Sequence, residues 1–268
     1  MSTPPPPTPR LVLTQEGRVA IVTISNLTAR NALTRDIFDA GLEAFRSFRR
    51  NADIGAILLC GDGPHFCGGG NLTRMIEQRS RPKHTQAEHV DACHAWIMAM
   101  RECPQPIIAA VEGAAAGGGL ALAMACDLMV VAENATLIMS HAKIGLSPDC
   151  GATHWLSRAL PHQAALEFML DAAPIPVARL HQLGVVNKVV GPGLAVAEAL
   201  TWATTLSKGP YAAHGRIKRL TYESEQRSLR DQLDAERDAV TESMYGEECA
   251  EGINAFLEKR SPRFVASS

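Results

Sequence analysis

Three groups of residues in this 268-residue chain are of a type and spacing that could do chemistry. The first is a pair of glycine-rich turns, Phe66-Cys67-Gly68-Gly69-Gly70 and Gly117-Gly118-Gly119. Consecutive glycines permit positive φ and close approach of the backbone to a ligand, so neighbouring amides can converge on one anionic oxygen. The second turn follows an apolar run (107–111) and opens a helix. The first N–H groups of a helix lack intrahelical partners, and its positive end favours developing negative charge. Either turn could instead serve only close packing. Together they suit an oxyanion hole for a thioester enolate or a tetrahedral adduct. Neither matches GxGxxG or GxxxxGK[ST], so dinucleotide and P-loop readings have little support.

The second group is Asp149, in SPDCGAT, with His141 eight positions before it. One carboxylate can remove a proton at one carbon and return it at another, or attack as a nucleophile. Asp after Pro and before Gly-Ala-Thr equally suits a helix N-cap. His141 could act as a base, orient Asp149 or lend hydrogen bonds to a pocket. The third is His94, on a helix expected over 90–103. It could activate water at neutral pH, or it could be a half-exposed helix residue. A metal site is not expected. His84, His89 and His94 are five apart, which spreads them around a helix, and no HExxH or CxxC occurs.

Elements must hold these groups in place. Residues 11–25 read as two strands joined at Glu16-Gly17. Thr34 caps an amphipathic helix carrying Ile37, Leu42 and Phe45. Residues 54–60 form an apolar strand, and strand, helix, strand in that order implies a parallel crossover. Residues 61–72 break regular structure, and 74–89 form a polar helix or loop. Further strands are expected at 107–111, 128–132 and 136–139, and helices at 117–126, 151–159 and 162–171. A short helix ending at Gly184 precedes the strand VVNKVV. Helices at 193–207, 211–243 and 247–258 complete an α/β chain. It divides into a Pro-rich tail (1–10), a core (11–190) and a C-terminal helical region (191–264).

Composition narrows the class. A net charge of −2 leaves no nucleic-acid footprint. The longest apolar run, 120–132, is broken by Asp127 and is too short to span a bilayer. Seven cysteines, an odd number with no CxxC pair, read as reduced thiols. The segment MSTPPPPTPR lacks a leader's apolar stretch. A cytoplasmic enzyme with no membrane or nucleic-acid partner is therefore expected.

The combination resembles the crotonase, or enoyl-CoA hydratase/isomerase, superfamily. The likeness is carried by VAIVTISNLTARNAL (19–33), GDGPHFCGGGNL (61–72), PIIAAVEGAAAGGGLALAMACDLMVVAENATL (106–137) and IGLSPDCGATHWLSRAL (144–160). LHQLGVVNKVV (180–190) and AFLEKRSPRF (255–264) extend it to nearly the whole chain. The resemblance implies a spiral of repeated ββα units followed by helices, assembly as a homotrimer or dimer of trimers, and acyl-CoA thioesters as substrates, with no cofactor beyond that coenzyme A. It implies oxyanion-hole amides at Gly68 and Gly118, flanked by Cys67 and Gly69. It places Arg30 near the CoA phosphates, and Phe256 and Lys259 where C-terminal helices reach a neighbouring subunit's ligand.

The resemblance also marks departures. Hydratases of the family use two glutamates, which would fall at 121 and 141. This chain has Ala121 and His141. What remains is Asp149, at the position where some double-bond isomerases and aroyl-CoA dehalogenases carry their working Asp. His94 falls where the dehalogenases carry a water-activating His, although their aromatic cradle is not reproduced here. Isomerisation through an enolate therefore leads. Asp/His-dependent hydrolysis, dehalogenation or C–C cleavage, and plain acyl-CoA binding, are the alternatives.

Overall fold

The structure, a computed structural model, describes residues 8–264, so most of the expected Pro-rich tail lies outside the described residues. Strands β1 (Arg10–Glu16) and β2 (Val19–Ser25) form an antiparallel hairpin with Glu16 opposite Val19. Gly17, at φ +55°, supplies the left-handed conformation that the two-residue turn needs. Helix α1 (Arg35–Phe48) starts at Thr34, whose Oγ1 accepts the Ile37 N–H at 3.4 Å, and buries Ile37, Phe38, Ala44, Phe45 and Phe48. It leads to β3 (Ala56–Gly61), which pairs parallel with β2.

Next come α2 (Leu72–Gln78), α3 (Lys83–Glu102), β4 (Ile107–Val111), β5 (Ala114–Ala116) and α4 (Gly118–Met124). They are followed by β6 (Leu128–Ala132), β7 (Thr136–Ile138), α5 (Ala152–Ala159), α6 (His162–Asp171), α7 (Val177–Gln182) and β8 (Lys188–Val190). The large sheet runs β1-β2-β3-β4-β6-β8 and is parallel from β2 onward. A small parallel sheet joins β5 to β7, and Cys67 extends it by a single bridge to Ala115. Successive ββα units thus place one strand in the large sheet and the next in the small one.

Both faces of the large sheet are covered. That is why β3 and β4 are continuous apolar runs rather than alternating ones. One face carries the main core, with Phe45, Trp96 and Met100 fully buried from α1 and α3. The other packs against α8 (Ala195–Ser207), where Ala195, Ala199 and Ala203 line one side at helical spacing and let the helix sit close. Helices α9 (Tyr211–Ser224), α10 (Leu229–Met244) and α11 (Glu247–Leu257) complete the chain.

Two expectations change, and one strand has no counterpart among them. Helix α3 begins at Lys83 rather than 90, with Pro82 before its first turn. Its first half is mostly polar and so carries no apolar stripe to read. The helix expected over 211–243 is two helices, because Ser228 caps a new start by accepting the Asp231 N–H at 3.2 Å. Strand β5 is Ala-Ala-Ala, whose residues have no strand preference. Its pairing partners, β7 and Cys67, are remote in sequence.

Candidate active site

The two glycine turns interlock. Cys67 N–H donates to the Ala114 carbonyl at 3.0 Å, and Ala116 N–H donates to the Cys67 carbonyl at 3.0 Å, so the first turn pairs with β5 and runs directly beneath the second. Nothing larger than hydrogen fits at the junction. A Cβ on Gly69, where φ is +88°, would lie 2.5 Å from the Ala116 carbonyl oxygen, and one on Gly119 would collide with the Cys67 carbonyl. The third strap is Asn31, buried with φ +57°. Its Nδ2 donates to the carbonyls of Asp62 and His65 at 2.8 and 2.7 Å, tying the β2–α1 connection to the first turn. Neighbouring Arg30, also left-handed, presents its carbonyl to Gly68 and exposes its side chain.

This changes the assignment of donors. Gly68 N–H is taken by the Arg30 carbonyl at 2.8 Å, and Gly69 N–H by the Cys67 sulfur at 3.4 Å. Gly70 also lines the cavity, and among the described residues its N–H has no acceptor. Gly118 is the first residue of α4, so its N–H has no intrahelical partner. The free amide of the first turn is therefore that of Gly70. Three successive glycines look alike in sequence; only the Arg30 carbonyl on Gly68 and the Cys67 sulfur on Gly69 show which amide is left over.

A cavity of about 260 Å³ opens against these amides. Asp149 lines it, and the reason lies in the local chain. His141 sits in a 3-10 turn (Ser140–Ile144) that Gly145 ends, and Cys150 and Gly151 adopt positive φ of 53° and 77°. These two residues swing the chain into α5. That helix has no side-chain cap; its Ala152 N–H donates to the main-chain carbonyl of Asp149 at 3.0 Å. The carboxylate is thus free of the capping role that sequence allows. Its Oδ1 instead lies 3.2 Å from His141 Nε2. It also lies 3.7 Å from where a Cβ on Gly118 would sit.

Burial, the largest influence, pushes the Asp149 carboxyl upward. Hydrogen bonds from His141 and the Cys150 thiol, with the charges of His141 and His94, outweigh it and hold the group below the usual carboxylate range. An ionised carboxylate only accepts, so Nε2 of His141 carries the proton. The other ring nitrogen, Nδ1, is buried without a partner among the described residues. Cys93 and Cys150, both free thiols, touch at 3.1 Å and form part of the wall.

Other expected residues stand apart. Cys67 is fully buried under Gly119, and its thiol is pushed up to about 12, first by burial; it packs the turn and does not line the cavity. His94 is exposed on α3 and outside the cavity lining, although its charge reaches Asp149. From that helix the cavity receives Gln86, His89, Val90 and Cys93. Of these, His89 is weighed in the sequence only as a metal ligand, because the polar stretch around it resembles a loop. Phe256 and Lys259, at the end of α11, are exposed and do not line this chain's cavity.

The model of the enoyl-CoA hydratase/isomerase family matches residues 14–267. The chain belongs to that family. It is 32% identical over 250 residues to a probable enoyl-CoA hydratase of Mycobacterium leprae, a match covering 92% of this chain and 95% of the relative. It is 30% identical over 251 residues to the 1,2-epoxyphenylacetyl-CoA isomerase of Escherichia coli, covering 93% and 96%. Among solved structures, an enoyl-CoA hydratase from Polaromonas sp. JS666 matches with a TM-score of 0.93 at 42% identity, over 95% of this chain and 99% of that one. The α/β architecture is that of the enoyl-CoA hydratase/isomerase family, with its parallel-rich sheet and C-terminal helices.

Proposed function

We propose that this acyl-CoA-processing enzyme moves a proton between carbons of a thioester-bound acyl group, shifting a double bond through an enolate. The supporting observation is the ionised Asp149 carboxylate, held by His141 beside the free amide of Gly118. The acyl carbonyl accepts from the N–H groups of Gly118 and Gly70. Asp149 takes a proton from carbon, and the electron pair left behind moves onto the carbonyl oxygen as an enolate. The two amides stabilise that charge as it develops. Asp149, now neutral, returns the same proton at the other end of the allyl system, and the enzyme is regenerated with no net gain or loss. The Nε2–H of His141 orients the carboxylate for both transfers.

Hydration is the less favoured chemistry. Of the two positions where the family's glutamates would fall, 121 holds a buried alanine that transfers no proton, and 141 holds a histidine already bonded to Asp149. Deuterium uptake at the α or γ carbon of an enoyl-CoA in D2O tests the proposal. Asp149→Asn keeps the shape but not the base, so exchange and turnover are expected to fall by roughly 10²–10⁴-fold. Full turnover in both Asp149→Asn and Asp149→Ala would falsify the assignment. The Asp149–His141 pair also motivates a second reading, in which the carboxylate attacks an activated carbon or directs hydrolysis. A transient ester on Asp149, seen by mass spectrometry, would select it.

A further inference from the structure

Arg74 lies in the first turn of α2, four residues after Gly70, and its side chain lines the same cavity. Asn71 fixes that turn by accepting the Arg74 N–H at 3.1 Å. The guanidinium is poorly provided for. Nη2 donates to Gln86 Oε1 at a long 3.3 Å, while Nε is buried with no acceptor among the described residues. Among the described residues no carboxylate comes within the 4.0 Å of a salt bridge to it. Asp149 is the one carboxylate among those lining the cavity, and it is engaged by His141. By contrast, exposed arginines such as Arg35 and Arg179 have acidic partners, Asp39 and Glu167. A half-buried cation without a counter-charge is costly, and a guanidinium's planar fork matches a carboxylate.

The surroundings suit the same ligand. With Oε1 of Gln86 turned to Arg74, its amide N–H groups remain for a second oxygen. Burial first, then the charges of Arg74 and Arg35, hold His89 at about 4, so it adds no competing charge near neutral pH. Leu72, Met75 and Val90 supply apolar walls, and about 260 Å³ suits a short acyl chain. We propose that the substrate is a short acyl-CoA whose acyl group ends in a carboxylate, and that Arg74 selects it through a charge-assisted, two-pronged hydrogen bond. This rests on the acyl-CoA reading above and names the substrate class of the same site.

Glutaryl-CoA, its ω-methyl ester and free CoA separate the possibilities. All three lack the double bond to be moved, so calorimetry reads binding apart from turnover. The expected result is that the wild-type protein binds glutaryl-CoA at least about tenfold more tightly than the ester, because a site built around a charged partner rejects an analogue lacking it. Arg74→Met should bring that ratio to within about twofold, and Arg74→Lys should restore part of it. Equal affinity for acid and ester in the wild type overturns the proposal and leaves the acyl-CoA reading standing. An Arg74→Met loss shared equally by free CoA also overturns it, since Arg74 would then serve the nucleotide. Failure of both thioesters to bind overturns both readings together.

Discussion

The hydrogen bond between His141 and Asp149 controls when the carboxylate is charged. Wild-type Asp149 sits below the usual carboxylate range although burial works in the opposite direction. As the proposed base, Asp149 is active when ionised, so the acidic limb of kcat/KM should fall below the pH at which an ordinary carboxylate titrates. Stability follows the same sign: the contribution of Asp149 is present above its unfolded pKa and is lost as pH falls through the depressed folded one. His141→Gln removes the charge and the largest opposing influence, leaving only the Cys150 thiol and the His94 charge to work against burial. The acidic limb should then move upward, as a pH profile of α-proton exchange would record; an unmoved limb would detach His141 from Asp149. Sequence put these two residues eight apart across a turn but left the contact open, because positive φ at Cys150 and Gly151 decides which way the carboxylate faces.

At the scale of elements, α4 supplies the amide that the proposed mechanism uses, and its first position can be tested without touching a side chain. Proline suits the first residue of a helix, where its missing N–H breaks no intrahelical bond. A Cβ at Gly118 would meet only ordinary contacts, 3.5 Å or more away. Gly118→Pro is therefore expected to fold with unchanged far-ultraviolet circular dichroism while kcat falls by roughly 10²–10³-fold, the usual cost of one oxyanion donor. Unimpaired turnover would exclude the Gly118 amide. The elements themselves were largely legible: Thr34 announced α1, and the apolar runs announced β3, β4 and β6. The donor within the first turn was not, since its identity depends on which amides Arg30 and the Cys67 sulfur consume.

At the scale of the whole molecule, the C-terminal helices are locked to the core through Asp127. Its carboxylate accepts the Ile107 N–H at 2.7 Å, the Tyr222 hydroxyl and, at 2.8 Å, the Lys218 ammonium, with both charged side chains nearly buried. Lys218 also donates to the carbonyls of Met100 and Gln105. Lys218→Met should lower stability by on the order of 3 kcal/mol, read as a lower urea midpoint at unchanged slope, and adding Asp127→Asn should recover much of the loss. Beyond that anchor, α10 and α11 leave Leu229, Leu233, Val240, Met244 and Phe256 exposed. By itself the sequence determined the order of strands and helices, the two glycine turns and Asp149, because apolar periodicity, caps and glycine runs are local. Only the tertiary structure decided that Gly70 holds the free amide, that Asp149 faces His141, and that Arg74 lies in the cavity with no carboxylate partner among the described residues. Each of those facts depends on which groups separated in the chain have used up one another's hydrogen bonds and charge.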